Sequence, residues 1–160
     1  MISRRNNKGQ SLFEIILSLA IATLVIVVLV SLAANAVRNS TYAKNKTQAT
    51  QSAQEATEWL RGQRDSSWDL VYAKAAVNPP QVYCLKTLSW SDATIGLACA
   101  DSQVVPGTIF KRELSFQRRT VLVGTDTKNI IDAEIRVYWS DSQGVHDVRS
   151  ATSFTDWRQK

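Results

Sequence analysis

Residues Ile15 to Ala34 read IILSLAIATLVIVVLVSLAA, 20 consecutive positions with no charge, no Gly and no Pro. As a helix this run extends about 30 Å, the thickness of a bilayer's hydrocarbon core. A run of about 14 residues can be a buried core helix, but this one is longer than a single small domain covers. Arg4, Arg5 and Lys8 precede it, with no acid among the first nine residues. Basic flanks stay in the cytoplasm, so the expectation is a single-pass inner-membrane protein with its N-terminus cytoplasmic and its remainder across the membrane. Two plainer readings compete. Ala34-Asn35-Ala36 has the A-x-A shape of a signal-peptide cleavage site, although the apolar run exceeds the roughly 7–15 residues usual for such a signal. A simple signal anchor is the other.

The rest of the composition sets limits. At 160 residues the chain holds one domain plus an appendage. An apolar fraction of 44% excludes global disorder, and 6 Gly with 3 Pro exclude collagen-like and linker-rich classes. The 19 basic and 14 acidic residues give a net charge of +5. Three of the positives sit in the leader, so the remainder is close to balanced and makes a weak case for nucleic-acid binding. Two cysteines and one histidine are too few for a four-ligand structural zinc site, and no metal or cofactor is expected.

Neither plain reading accounts for Glu14, a carboxylate between Phe13 and Ile15 at the entrance of the apolar run. An acid inside a membrane helix costs about 2.5–3.5 kcal/mol at the centre and less near an end, and it usually has a partner. Position alone leaves open a solvated place among the headgroups. The full string is Lys8-Gly9-Gln10-Ser11-Leu12-Phe13-Glu14. It resembles the cleavage and methylation motif of type IV prepilins and of the pseudopilins of related secretion systems. In that family a short basic leader ends in Gly, a Glu stands fifth after it, and an apolar helix follows. The resemblance implies that a prepilin peptidase cuts between Gly9 and Gln10 and that Gln10 is then N-methylated. It implies that Glu14 sets the axial stagger between neighbouring pilin or pseudopilin subunits, with membrane lipid as the surroundings before assembly. The family usually begins its mature chain with Phe, where Gln10 stands here. Its major subunits often break the apolar helix with Pro or Gly, and this helix has neither. Both departures point to a minor subunit.

No stop signal occurs between Asn35 and Arg61, and Gly62 is the first plausible C-cap. One helix from about Ser11 to Leu60 is expected, near 75 Å at about 1.5 Å per residue. Ala53, Ala56, Trp59 and Leu60 could make one apolar face, with Ala36, Ala43 and Ala49 before them. Lys44, Lys46, Gln48, Glu55, Glu58 and Arg61 would mostly face solvent, and Ser40-Thr41 makes a bend conceivable. Residues 53–65 with Trp68 also resemble, more weakly, the helix end of some minor pilin-like proteins; an ordinary amphipathic helix end reads the same way.

Beyond Trp68 the period changes to two. Ile131, Ala133, Ile135, Val137 and Trp139 alternate with Asp132, Glu134, Arg136 and Tyr138, which spells a half-buried antiparallel strand. Phe110 to Phe116 alternates as well, Ser140 to Gly144 is a turn, and Val145 to Phe154 returns. Val82 to Trp90, Ile95 to Cys99 and Val121 to Gly124 are shorter candidates, with breaks at Asn78-Pro79-Pro80 and Pro106-Gly107. The expected fold is α+β: a long N-terminal helix, membrane-spanning in its first half, packed on a C-terminal antiparallel sheet in the pilin-like manner. Its parts are a leader at residues 1–9, a membrane or filament-core helix at 10–34, the second half of the helix at 35–64 and a β domain at 65–160.

Cys84 and Cys99 lie 15 positions apart. In an oxidising compartment a bridge is the expectation, worth about 3 kcal/mol in the chain-entropy model; two free buried thiols are the alternative. Catalytic patterns are missing: there is no G-x-S-x-G, P-loop or dinucleotide glycine motif. His146 and its neighbour Asp147 point to opposite sides of a strand, so they cannot orient each other. A non-enzymatic protein is expected. Lys111, Arg112, Arg118 and Arg119, near Trp90, Phe110 and Phe116, could suit single-stranded DNA, but a solvated strand face is the preferred reading. Of the tryptophans, Trp59 and Trp139 suit the helix–sheet core, and Trp157 could lock the last strand or face a neighbour. The leading expectation is a minor pilin or pseudopilin of a type IV pilus or type II secretion-like filament. The alternative is a monomeric, single-pass, membrane-anchored binding domain.

Overall fold

The computed structural model of the chain describes residues 8–96 and 98–156. Its architecture is α+β, with helices α1 (Lys8–Ser66) and α2 (Trp68–Lys74) and strands β1 (Gln81–Cys84), β2 (Thr94–Ile95), β3 (Lys111–Val123), β4 (Asp126–Asp141) and β5 (Gly144–Thr155). The strands form one antiparallel sheet in the order β2-β1-β3-β4-β5. The chain falls into two units that divide between Lys44 and Asn45. The first is the N-terminal part of α1. The second holds the rest of α1, α2 and the sheet.

The helix–sheet core follows from the sequence pattern. Ala49, Ala53, Ala56 and Leu60 are each essentially fully buried. Their spacing of four, three and four residues keeps them on one helical face. They pack against Leu114 and Phe116 of β3, Phe154 of β5 and the inward set Ile131, Ala133, Ile135, Val137 and Trp139 of β4. The strict alternation read for β4 is the observed burial pattern. Ala49 belongs to this face, while Trp59 sits at its flank, half-buried. Small side chains let the helix axis approach the sheet closely, so the large residues on the sheet fill the space between.

Several expected boundaries are corrected. α1 does not end before Gly62 but continues to Ser66. A Gly inside a helix costs about 1 kcal/mol, and contacts beyond it hold the last turns in place. Gln63 Oε1 accepts from Trp90 Nε1 at 3.0 Å, and the Arg64 guanidinium lies 5.3 Å from the Phe154 ring centre. The helix also passes through Ser40-Thr41 without interruption. α2 was not expected; seven residues are too short for a helical period to register, and its buried residues Trp68 and Val71 anchor it on the core.

The stretch Val82 to Trp90 is a strand only as far as Cys84. The chain then leaves the sheet, and its apolar residues return as loop anchors: Trp90 packs 4.9 Å from Trp59 and 5.6 Å from Tyr83 between ring centres. The strand expected over Ile95 to Cys99 reduces to Thr94–Ile95, with Leu97 outside the described residues. Val121 to Gly124 is not a separate strand but the end of β3 and its turn into β4. The break before β1 contains a cis peptide bond at Asn78-Pro79.

Candidate functional site

The candidate site is the N-terminal end of α1. Side chains from Leu12 to Val37 are exposed in the chain by itself, Phe13 at 69% and Leu24 at 66% among the larger ones. That much contiguous apolar surface is not stable against water, so its natural surroundings are lipid or other apolar helices. The helix is long and apolar enough to cross a membrane. Two of its hydroxyls bond back to their own helix. Ser18 Oγ donates to the Glu14 carbonyl oxygen at 2.7 Å, and Thr23 Oγ1 to that of Ala20 at 2.9 Å. Hydroxyls bonded back to their own helix are cheap to hold in hydrocarbon.

Glu14 is therefore the one ionisable side chain described from Leu12 to Val37. Its side chain is exposed, on the same turn that begins the apolar surface. Gly9 and Gln10 belong to the first turn of α1, but their side chains lie outside the described residues. Arg4 and Arg5 lie outside them as well. A carboxylate thus leads an exposed apolar helix, about one turn after the residues at which cleavage is expected.

In the second unit Cys84 and Cys99 are bridged, with an S–S distance of 2.03 Å. Cys99 is not in a strand as expected; it sits in the loop, buried against the sheet face that α1 does not cover. Glu113, opposite Cys84 on β3, holds that loop. Its Oε1 accepts from the Cys99 N–H at 2.9 Å and from the Tyr138 hydroxyl at 2.9 Å, and Arg136 Nη1 lies 3.7 Å from Oε2. Burial, then the bond to this carboxylate and its charge, push the Tyr138 hydroxyl up to about 12. Nothing in the local sequence around Glu113 marks this cluster, because its members Cys99 and Tyr138 are distant along the chain.

The four basic residues do not form one surface. Strand alternation sends Arg112 and Arg118 to one side of β3 and Lys111 and Arg119 to the other. Lys111 pairs with Asp101, Arg119 with Asp132, and the Arg118 guanidinium lies 5.1 Å from the Tyr72 ring centre. Arg112 is buried in the helix–sheet interface, and that burial lowers its affinity for its proton, partly offset by the charge of Glu55. It donates to the Ser52 carbonyl oxygen and hydroxyl and to the Leu85 carbonyl oxygen. Its place between Phe110 and Leu114 in an alternating run was the available signal for an inward position.

His146 meets Asp141 across the hairpin at 3.0 Å, not Asp147, and its ring lies against Trp139. The bond lowers the Asp141 carboxyl, behind a larger contribution from the Gln143 N–H. Among the described residues no group of three or more His, Cys, Asp or Glu side chains could hold a metal ion. Trp139 is in the core, and Trp157 lies outside the described residues. In comparison with known proteins, the chain matches no family model, no curated protein and no solved structure.

Proposed function

We propose that this chain is a non-enzymatic structural subunit, a minor pilin or pseudopilin, of a type IV pilus or type II secretion-like filament. The observation that carries this reading is Glu14, five residues after Gly9 and at the head of an exposed helix with no other charge until Arg38. The chain waits in the inner membrane with lipid around α1 and its β domain outside the cytoplasm. A prepilin peptidase removes residues 1–9, freeing the amine of Gln10, which is then methylated. Among other pilin or pseudopilin subunits the apolar helices pack together and exchange lipid for protein contacts. In that low-dielectric setting the cationic amine of one subunit and the Glu14 carboxylate of another neutralise each other. The pairing is intermolecular because residues 10 and 14 of one helix are spaced along its own axis. The bridged, charge-balanced β domain forms the outer shell.

The deciding experiment is N-terminal sequencing of the protein from its native host, together with a Glu14→Ala variant. The expected mature chain starts at methylated Gln10, and the variant inserts in the membrane but is lost from the sheared filament fraction. An intact leader and a Glu14→Ala chain that behaves as wild type would leave a monomeric membrane-anchored domain as the correct reading.

A further inference from the structure

The two edges of the sheet are unlike. One ends in β2, only two residues long, within the loop closed by Cys84 and Cys99. The other is β5, 12 residues with no Pro, no Lys and an unbroken register against β4. Natural sheets usually blunt such an edge, because its free N–H and C=O groups template another strand.

The groups left free can be named. Leu85 N–H donates to the Arg112 carbonyl oxygen, and Arg118 N–H to that of Ala76, so even-numbered β3 residues bond toward β1 and odd ones toward β4. With Leu122 opposite Thr127 and Val137 opposite Val148, the alternation continues across the sheet. Even-numbered β5 residues therefore bond to β4. The N–H and C=O groups of Val145, Asp147, Arg149, Ala151, Ser153 and Thr155 point outward, and among the described residues no backbone group meets them.

We propose that β5 pairs antiparallel with β5 of a second copy of this chain, continuing the sheet across a two-fold axis at Val148. The charges select both the occupant and the register. Asp147 and Arg149 are two positions apart and both exposed. Within the chain they bond each other, Asp147 also meets Arg136 and Arg149 also meets Glu134, so the pairing between copies exchanges these contacts for equivalent ones across the axis. Centred on Val148, each Asp147 stands opposite Arg149 of the second copy, and Val145 opposite its Ala151. These are all residues with outward hydrogen-bonding groups, so backbone and charge agree. Centred on Arg149, two guanidiniums would oppose each other. Centred on Ser150, Asp147 would face Ser153 and the charge match would be lost. Opposite charges directly across a strand pair are favourable and like charges unfavourable. The twofold contact does not rest on the filament reading.

The test uses the full chain in phospholipid nanodiscs under mild oxidation. Because Cys84 and Cys99 are bridged, an introduced thiol is the reporter. A Val148→Cys chain should give a covalent dimer that reductant dissolves, since the axis brings residue 148 against its own copy. Adding Arg149→Asp should lower the dimer yield about tenfold by opposing two carboxylates, and adding Asp147→Arg to that chain should restore it. Far-UV circular dichroism checks that each variant is folded. A folded Val148→Cys chain that stays monomeric overturns the proposal. So does linkage indifferent to the charge reversals, or linkage through Ser150→Cys in preference to Val148→Cys.

Discussion

Arg112 reaches from β3 to α1 and donates from Nη1 to both the carbonyl oxygen and the hydroxyl of Ser52, at 3.3 and 3.2 Å. Around it the interface is apolar and made of small helix residues, so this guanidinium fixes where along its axis the helix meets the sheet. Burying a charge without a carboxylate in direct contact is costly, and its hydrogen bonds recover only part of that cost. Arg112→Ala should destabilise the domain by about 3 kcal/mol, through a cavity and through the Leu85 carbonyl and the Ser52 hydroxyl losing their donor. Arg112→Met, which refills the volume, should cost less than half as much. Denaturant unfolding of the full chain in detergent measures both, and equal losses would contradict this account.

The disulfide and Glu113 act on one loop. Replacing both cysteines by Ser should cost about 3 kcal/mol. Glu113→Ala removes the acceptor for the Cys99 N–H and the Tyr138 hydroxyl and should cost about 2 kcal/mol. Once the loop is released, the Cys99 bond to Glu113 has little left to hold. The triple variant should therefore cost less than the sum of its parts, a coupling that a double-mutant cycle reads directly. Strict additivity would mean that the bridge and the carboxylate stabilise separate features.

Tyr138 gives the domain an alkaline limit. Its hydroxyl is raised to about 12 in the folded chain, against about 10 when unfolded. Below the unfolded value both states keep the proton, and the contribution is fully present. Between about 10 and 12 only the unfolded state releases it, so stability falls as pH rises. Absorbance titration should show one phenol ionising last, and Tyr138→Phe should flatten the loss of stability above about pH 10. A Tyr138 that ionises near 10 would refute this.

On the acid side, the hydrogen bond from Arg119 holds the Asp132 carboxyl below its ordinary value, with Ser153 adding to it. The stabilisation is present above the unfolded value near 3.9 and is lost as pH falls below it. Asp132→Asn should shift the acid-unfolding midpoint upward by a few tenths of a pH unit. A midpoint that does not move would show that the pair is too exposed to matter.

Ala53 is 1% exposed against the sheet, whereas Ala36 on the same helix is exposed. Ala53→Leu should overpack the interface and cost about 1–3 kcal/mol. Ala36→Leu should leave the unfolding midpoint unchanged. If the two behave alike, the Ala-lined face is not the packing surface.

The long-range plan was legible because two periodicities carry it. The charge-free run, the Ala and Leu60 spacing of α1 and the alternation of β4 each state one surface, and each is found there. The local structure between Trp68 and Cys99 was not legible. Buried aromatics such as Trp90 look like strand residues in a short window, yet Trp90 is held by contacts with Trp59 and Gln63 distant in sequence. Gly62 carries a stop signal that Arg64 and Phe154 override. Glu113 and Arg112 are neighbours in one strand and take opposite roles on its two faces, which charge counting cannot reveal but alternation can. At the candidate site, the spacing from Gly9 to Glu14 is a property of the sequence itself, and the exposed helix adds the physical need for a covering.

The bridge between Cys84 and Cys99 spans the exposed turn at Ser91 and Asp92. A protease cutting there would yield two polypeptides that still travel as one molecule. The break would show on a gel only after reduction, so damage at this turn is silent to any non-reducing assay of the intact protein.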